Sequence, residues 1–299
     1  MSHAPEHDRI DNLLHWRIGD VTIARVTEFE WPAPGTDFLI EATPEALRRH
    51  AWLTPDFVTP AGEIRISVHA LLVEAPGLRL VVDTCFGENK DLPHLALMER
   101  QGDFLAKLGL AGFTRENVDV VLCTHLHVDH IGWNTMWEGG CWAATFPNAR
   151  YLFGEAEYAY TTSDDERLAK FGTDTTLRES VTPIVEAGLA DFVASDHRLS
   201  PELRLIPTPG HTPGHVSLVI ESQGQSAVIT GDMMHHPCQI PHPEWQDRYD
   251  ADHADAVATR ERMLAEWSQS GTLVIGTHFT TPTAGRITRE AGYWKLECG

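Results

Sequence analysis

The run Thr124-His125-Leu126-His127-Val128-Asp129-His130 gathers three imidazoles and a carboxylate directly after the apolar stretch Val118-Asp119-Val120-Val121-Leu122-Cys123. Side chains of an extended segment alternate, so His125, His127 and Asp129 project to one side, and the chain must then turn for His130 to reach the same space. Such donors bind divalent transition metals. Four ligands this close along the chain do not close around one tetrahedral ion by themselves. Two adjacent ions, each completed by residues from elsewhere, fit the chemistry better.

The completing residues should also follow apolar strands, in glycine-bearing turns where the backbone can bend a ligand inward. Three places qualify. Pro209-Gly210-His211-Thr212-Pro213-Gly214-His215 follows Leu203-Arg204-Leu205-Ile206, Gly231-Asp232 follows Ala227-Val228-Ile229-Thr230, and Gly276-Thr277-His278 follows Leu273-Val274-Ile275.

An HxHxDH run followed by separate His, Asp and His residues in that order resembles the metallo-β-lactamase superfamily. The resemblance implies that His125, His127 and His211 hold one metal, that Asp129, His130 and His278 hold the second, and that Asp232 bridges them. Val82-Asp83-Thr84 is similar to the family's early strand-end Asp-Thr-Gly, with Cys85 in the place of the glycine. The resemblance runs from about Ala70 to His278 and implies an α/β (α+β) fold, a four-layer αβ/βα sandwich of two mixed sheets. Of the 17 histidines, His3, His7, His15, His50, His94, His197, His242 and His253 lie in polar or unplaced contexts and receive no role.

The ligand types suit two zinc ions, with manganese, iron or cobalt as alternative occupants. Two such ions ~3.5–4 Å apart would share a water and lower its pKa from about 16 toward 7, giving a bridging hydroxide that attacks a carbonyl. Asp129 or Asp232 can take the proton as the tetrahedral intermediate collapses. Lactonases of the superfamily carry a tyrosine three positions after the bridging aspartate; this chain has His235 there, with His236 beside it. An imidazole at 235 can donate the same hydrogen bond, whereas the plainer reading makes both residues part of a turn.

The stretch Gly231-Asp232-Met233-Met234-His235-His236-Pro237 and the ending Pro282-Thr283-Ala284-Gly285 look most like the branch containing methyl parathion hydrolase and related lactonases. That implies a hydrolase of small, largely neutral lactones or esters, commonly a homodimer. A phosphotriesterase or a β-lactamase-type amidase would use the same ligands, and a diiron redox or sensing protein is a further alternative. Trp31, Phe38, Trp133, Trp137 and Phe279 are candidates to line an apolar acyl or aryl pocket.

Asp+Glu 43 against Lys+Arg 23 gives a formal charge of −20, which repels phosphate backbones and anionic membranes and excludes nucleic-acid partners. No apolar run is long enough to cross a membrane, and Met1 to Asp8 lacks the basic and apolar regions of a signal peptide, so a cytoplasmic protein is expected. Five cysteines without a CxxC pair suggest reduced thiols.

Because the strand-end motifs spread from Asp83 to His278, one domain over 1–299 is expected, with an N-terminal extension and insertion at about 1–68. Within it, Trp16 to Val26 reads as a hairpin turning at Gly19-Asp20, and Thr43 caps a short helix with Pro44 in its first position. The irregular stretch Glu28 to Ser67 is too long for a passive connection and reads as an interface or pocket wall, or else as an insertion packed on a sheet edge. Helices are expected over Leu92–Leu110, Glu155–Thr161, Thr176–Ala187 with a break at Pro183, and Asp252–Gln269, between two mostly antiparallel sheets.

Overall fold

The computed structural model describes residues 13–91, 102–164, 168 and 173–298. They fall into two compact units interleaved along the chain, one drawn from His7–Glu28 and Val68–Ala194, the other from Phe29–Ser67 and Ser195–Gly299.

The hairpin forms where the sequence places it. Strands β1 (Leu14–Ile18) and β2 (Val21–Ala33) pair with Ile18 opposite Val21, across a two-residue turn whose first residue, Gly19, has φ of 56°. With β3 (Ile64–Ala75), β4 (Leu78–Val82) and β5 (Val120–Leu122) they start the first sheet. A separate two-stranded ribbon follows, β6 (Thr135–Glu138) and β7 (Cys141–Ala144), before β8 (Arg150–Gly154) and β9 (Ala190–Val193) complete a seven-stranded order β1-β2-β3-β4-β5-β8-β9. The second sheet runs β10 (Leu203–Pro207), β11 (Val216–Ser222), β12 (Gln225–Ile229), β13 (Leu273–Ile275), β14 (Ala284–Glu290) and β15 (Tyr293–Glu297), in sequence order.

Both sheets are mixed, and the first is less antiparallel than the sequence suggested, because β4–β5, β5–β8 and β8–β9 all pair in parallel. Parallel neighbours need crossovers rather than tight turns. Helical segments at Phe104–Leu110, Val128–Ile131 and Glu155–Thr161 lie in those connections. In the second sheet the single parallel pair, β12–β13, is bridged by the helix His253–Ser270.

That helix shows why its boundaries were readable. The Asp252 carboxylate accepts from the Asp255 N–H at 3.0 Å, and Gly271 ends the helix in the left-handed region at φ 66°. Ala256, Thr259, Arg260, Met263, Leu264 and Trp267 are buried, which is the 3–4 spacing of one helix face. Glu155–Thr161 is helical as expected, and the expected break is present between Thr173–Ser180 and Thr182–Glu186, with Pro183 in the first turn of the second piece. Of the helix expected over Leu92–Leu110, the piece Phe104–Leu110 is formed and residues 92–101 lie outside the described residues. Among the described residues no helix is long and apolar enough to cross a membrane.

The segment from Phe29 to Ser67 contributes to the core of its unit. Leu39, Leu47, Leu53, Phe57, Val58, Ile64 and Ile66 are buried in one core with Met263, Leu264, Trp267, Val274, Phe279, Ile287 and Leu296. The short helix Pro44–Leu47 has Thr43 as its cap, accepting from the Ala46 N–H at 3.2 Å. Aromatic and aliphatic residues scattered without period thus cover one face of the second sheet. Phe57, 1% exposed, packs edge-on against both Trp52 and Phe279. Phe57→Ala is therefore expected to lower stability by about 3–5 kcal/mol in urea unfolding. Ile40→Ala, at a site 41% exposed, should stay within about 0.5 kcal/mol of the parent.

Candidate metal centre

In the unit that holds Val68–Ala194, β5 ends at Leu122 and the chain leaves the sheet at Thr124. Asp83, at the end of β4, accepts the Thr124 N–H at 2.8 Å on Oδ1 and the Thr124 hydroxyl at 2.9 Å on Oδ2. The same Oδ2 accepts from His130 Nδ1 at 2.9 Å. The turn required for His130 is the four-residue helix Val128–Ile131, which begins just after His127. Leu126 N–H is held by the buried Glu157 carboxylate at 3.1 Å. The result is a tight array, with the ring of His125 4.6 Å from that of His127 and 4.1 Å from that of His130. Asp129 Oδ1 stands 3.6 Å from His130 Nε2.

Hydrogen bonding sets the tautomers. The Thr124 hydroxyl donates to Asp83, so at 3.1 Å it accepts from His125 Nδ1–H and leaves the lone pair of His125 on Nε2. His130, donating Nδ1–H to Asp83, also presents Nε2. Cys85, at the family's glycine position, has φ of 53°, a left-handed conformation that costs a side-chain-bearing residue roughly 1 kcal/mol. Its carbonyl accepts the Gly132 N–H at 2.7 Å, and a Cβ on Gly132 would meet the Phe86 carbonyl oxygen at 1.8 Å. Only glycine closes this turn behind His130.

In the other unit the Asp232 carboxylate collects imidazoles. His235 Nε2 lies 3.1 Å, His278 Nε2 3.2 Å and His211 Nε2 3.7 Å from its Oδ2. His278 gives Nδ1–H to the Ser67 carbonyl at 2.8 Å, and His235 Nδ1 lies 2.6 Å from Asp247 Oδ2 as an ion pair. His211 Nδ1 faces Asp250 at 3.4 Å, and Asp250 pairs at 3.2 Å with Arg260, itself anchored on the Pro243 and Trp245 carbonyls. Burial and neighbouring Asp247, opposed by Arg260, raise Asp250 to about 7. Burial by itself would lower the pKa of His235, but Asp247 and then Asp232 outweigh it and hold it well above the ordinary value.

The backbone of Asp232 is fixed as firmly as its side chain. Ser217 Oγ–H donates to the Thr230 carbonyl at 2.7 Å, so it accepts from the Thr208 hydroxyl at 3.0 Å. That hydroxyl therefore accepts His215 Nδ1–H at 2.8 Å, and His215 Nε2 is left to accept the Asp232 N–H at 2.8 Å. His215 is thus a support for the carboxylate and spends both ring nitrogens within the protein.

The donor set fits a divalent transition metal, being nitrogen and oxygen without thiolate. With its Nδ1 proton committed to Ser67, His278 in neutral form turns a lone pair toward the Asp232 carboxylate oxygen at 3.2 Å. Electron pair faces electron pair there, and a cation or a proton between them removes the repulsion.

The sequence profile of the metallo-β-lactamase superfamily matches residues 65–278. The chain belongs to this superfamily. It is 25% identical over 187 residues to an N-acyl homoserine lactonase of Bacillus cereus, an alignment that covers 58% of this chain and 65% of that relative's length. Two solved structures share the fold: the hydrolase AbOPH in the beta lactamase superfamily, with a TM-score of 0.81 at 23% identity over 98% of this chain and 99% of that one, and the dizinc quorum-quenching lactonase AidC, with 0.79 at 21% identity over 98% and 99%. The mixed α/β architecture expected from the resemblance is therefore the architecture of this superfamily member.

Each unit gathers its own share of the expected ligands: His125, His127, Asp129 and His130 in one, His211, Asp232 and His278 in the other. His235 joins the second set, with ligand atoms of His211, Asp232 and His235 all within 4.8 Å of one another. The aromatic expectation is corrected in part. Trp133 is buried, stacked on Phe104 and bonded to Glu28 at 2.9 Å, and the Phe279 ring closes on Gly276, so both are core residues. Trp137 is 51% exposed on the β6–β7 ribbon. Phe38 does flank His235, at 6.4 Å between rings, with Trp31 behind it at 6.4 Å and Tyr249 on its other side at 5.9 Å. Asp247 and Tyr249 carried no sequence signal in their irregular stretch, Asp250 read as an alternative cap for the helix after it, and Arg260 read as one more residue of that helix.

His236 diverges from His235. It is fully buried, donates Nε2–H to the Phe57 carbonyl at 2.9 Å and accepts the Cys238 N–H on Nδ1 at 3.1 Å. Burial lowers its pKa to about 4, the bond to Phe57 opposing. The unfolded chain then binds a proton near pH 6.5 that the folded chain refuses until about 4. Stability from this group is complete above 6.5 and is lost as pH falls toward 4, up to about 3 kcal/mol. In urea unfolding, the gap between parent and His236→Gln should shrink across that window. A gap that stays constant would remove His236 from the acid sensitivity.

Proposed function

We propose that the protein is a binuclear metal-dependent hydrolase that opens a lactone or ester of a small, largely neutral substrate. The observation that carries this reading is the buried Asp232 carboxylate oxygen with His278 Nε2 at 3.2 Å and His211 Nε2 at 3.7 Å, a nitrogen and oxygen donor set that transition-metal dications select. Family membership and the order of the motifs support the division of ligands: His125, His127 and His211 for one ion, Asp129, His130 and His278 for the other, Asp232 for both. In this reading residues 1–299 act as one domain. When bound, two divalent cations, zinc first among them, supply Lewis acidity and lower the pKa of water.

The protein's own groups do the rest. His215 and the Thr208–Ser217 relay hold Asp232 at its backbone, and Ser67 orients His278. Asp247 fixes Nδ1 of His235, so Nε2 is the atom at which His235 exchanges a proton with the substrate's oxygen. Phe38, Tyr249 and Trp31 beside that ring suit an acyl chain or aryl group. The lactonase named among the relatives and the lactonase AidC among the structures support the choice of a lactone.

The test is a panel of N-acyl homoserine lactones, aryl esters, phosphotriesters and β-lactams, assayed with metal analysis before and after chelation. Close to two transition-metal ions per chain, lactone or ester turnover and its loss on chelation are expected. Full activity in a metal-free preparation would overturn the reading. Asp232→Asn keeps the shape and removes the charge, and should lower kcat by at least about a thousandfold.

The role given to His235 has its own measurement. His235→Phe should reduce kcat/KM on the preferred carbonyl substrate by roughly tenfold to a thousandfold with metal content unchanged, the range for one lost proton or hydrogen-bond partner. Asp247→Asn, which can set an amide N–H against Nδ1, should reproduce part of that loss. Parent-like kinetics in both variants would leave His235 as a packing residue.

A further inference from the structure

Away from the Asp232 cluster, two histidines without any role in the sequence face one another. His50, just beyond the helix Pro44–Leu47, and His242, in the irregular stretch before the helix His253–Ser270, bring their Nε2 atoms to 2.8 Å with rings 69° apart. Both are half-buried. The Glu244 carboxylate lies 3.1 Å from His242 Nδ1 and accepts its proton, so His242 Nε2 carries a bare lone pair. A single proton, on His50 Nε2, therefore occupies the line between the two nitrogens. The His242 ring is clamped flat on Trp245 at 4.4 Å and 2°, and Tyr293 of β15 stands 5.6 Å from His50 and 5.7 Å from His242.

We infer that this pair is a second cation site, which takes one borderline transition-metal dication such as copper, nickel or zinc in place of the shared proton. Two neutral imidazoles, one oriented through Nδ1 by a carboxylate, are the donor arrangement such ions select, and calcium or magnesium would not choose it. Metal–nitrogen bonds of about 2.0–2.1 Å at a tetrahedral angle separate two ligand nitrogens by about 3.3 Å, and at a right angle by about 2.9 Å. The pair has only a few tenths of an ångström to open. On binding, His50 moves its proton from Nε2 to Nδ1 and both rings stay neutral; water completes the coordination, and the Glu244 charge offsets part of the added positive charge. Burial, His242 and Arg49 lower the pKa of His50, which favours the neutral ligand form.

The site ties together three parts of one unit: the segment around residue 50, the stretch that carries Asp247 and Asp250, and the C-terminal hairpin. A bound ion would brace the stretch whose carboxylates hold His235 and His211. This inference stands apart from the proposed hydrolase activity, because none of its residues belongs to that machinery.

The probe is copper(II) iminodiacetate, whose chelator occupies part of the metal's coordination sphere, leaves room for two imidazoles and keeps the copper out of a site that needs three protein ligands. It is titrated into untagged protein already loaded with its resident metals, and binding is read by calorimetry and by the urea midpoint. The expected result is one equivalent bound per chain with a rising midpoint, and at least a tenfold loss of affinity in both His50→Gln and His242→Gln. His197→Gln, which alters a histidine outside the pair, should bind as the parent does. Equal affinity in the parent and both pair variants, or a loss confined to His197→Gln, would overturn the site and leave His50 and His242 joined by a hydrogen bond only.

Discussion

A carboxylate held 2% exposed must be compensated on every side, and Asp232 sets the terms for the rest of its unit. Its backbone N–H is taken by His215, and its side chain draws the Nε2 atoms of three other histidines. Each of those rings needs a second partner at Nδ1, or it is free to turn. Ser67 accepts from His278, while Asp247 and Asp250 stand 2.6 and 3.4 Å from Nδ1 of His235 and His211, and Asp250 in turn needs Arg260, which needs the carbonyls of Pro243 and Trp245. One buried charge thereby specifies a chain of polar contacts reaching from β3 to the helix His253–Ser270.

The same logic operates around Asp83 in the other unit. There one carboxylate accepts from Thr124 twice and from His130 once, which fixes both the path of the strand end and the tautomers of two histidines. Both arrangements turn imidazoles into directed ligands by spending Nδ1 on the protein, the outer-shell pattern that raises ligand basicity and prevents ring rotation. The sheets contribute by ending where these contacts begin: β4 stops at Val82 before Asp83, β12 at Ile229 before Asp232, and β13 at Ile275 before His278.

Residues that obey a local rule could be read from the chain. The hairpin at Gly19, the cap at Thr43, the helix from His253 to Ser270 and the strand-end ligands each depend on neighbours within a few positions. Partners fixed only by tertiary folding could not be read. Asp247 and Asp250 sit in a stretch without period, Ser67 acts through its carbonyl, and nothing local links His50 to His242 across 192 positions. The same reason explains the aromatic residues: Trp133 and Phe38 look alike as isolated letters, but Glu28 and Phe104 draw one into a core while the other packs beside Tyr249 and His235.

The division between strand ends and irregular backbone bears on how chemistry and selectivity can part company. Asp83, Asp232 and His278 each follow a strand whose register fixes them, so a change there disturbs a sheet and a charge together. His235 lies beyond the β12 end, its orientation set by Asp247 and its surroundings by Phe38, Tyr249 and Trp31, which come from segments with no ladder to maintain. Cys85 marks the contrasting case, since a side chain accepted at φ 53° strains the turn behind His130 while the bond from His130 to Asp83 is made.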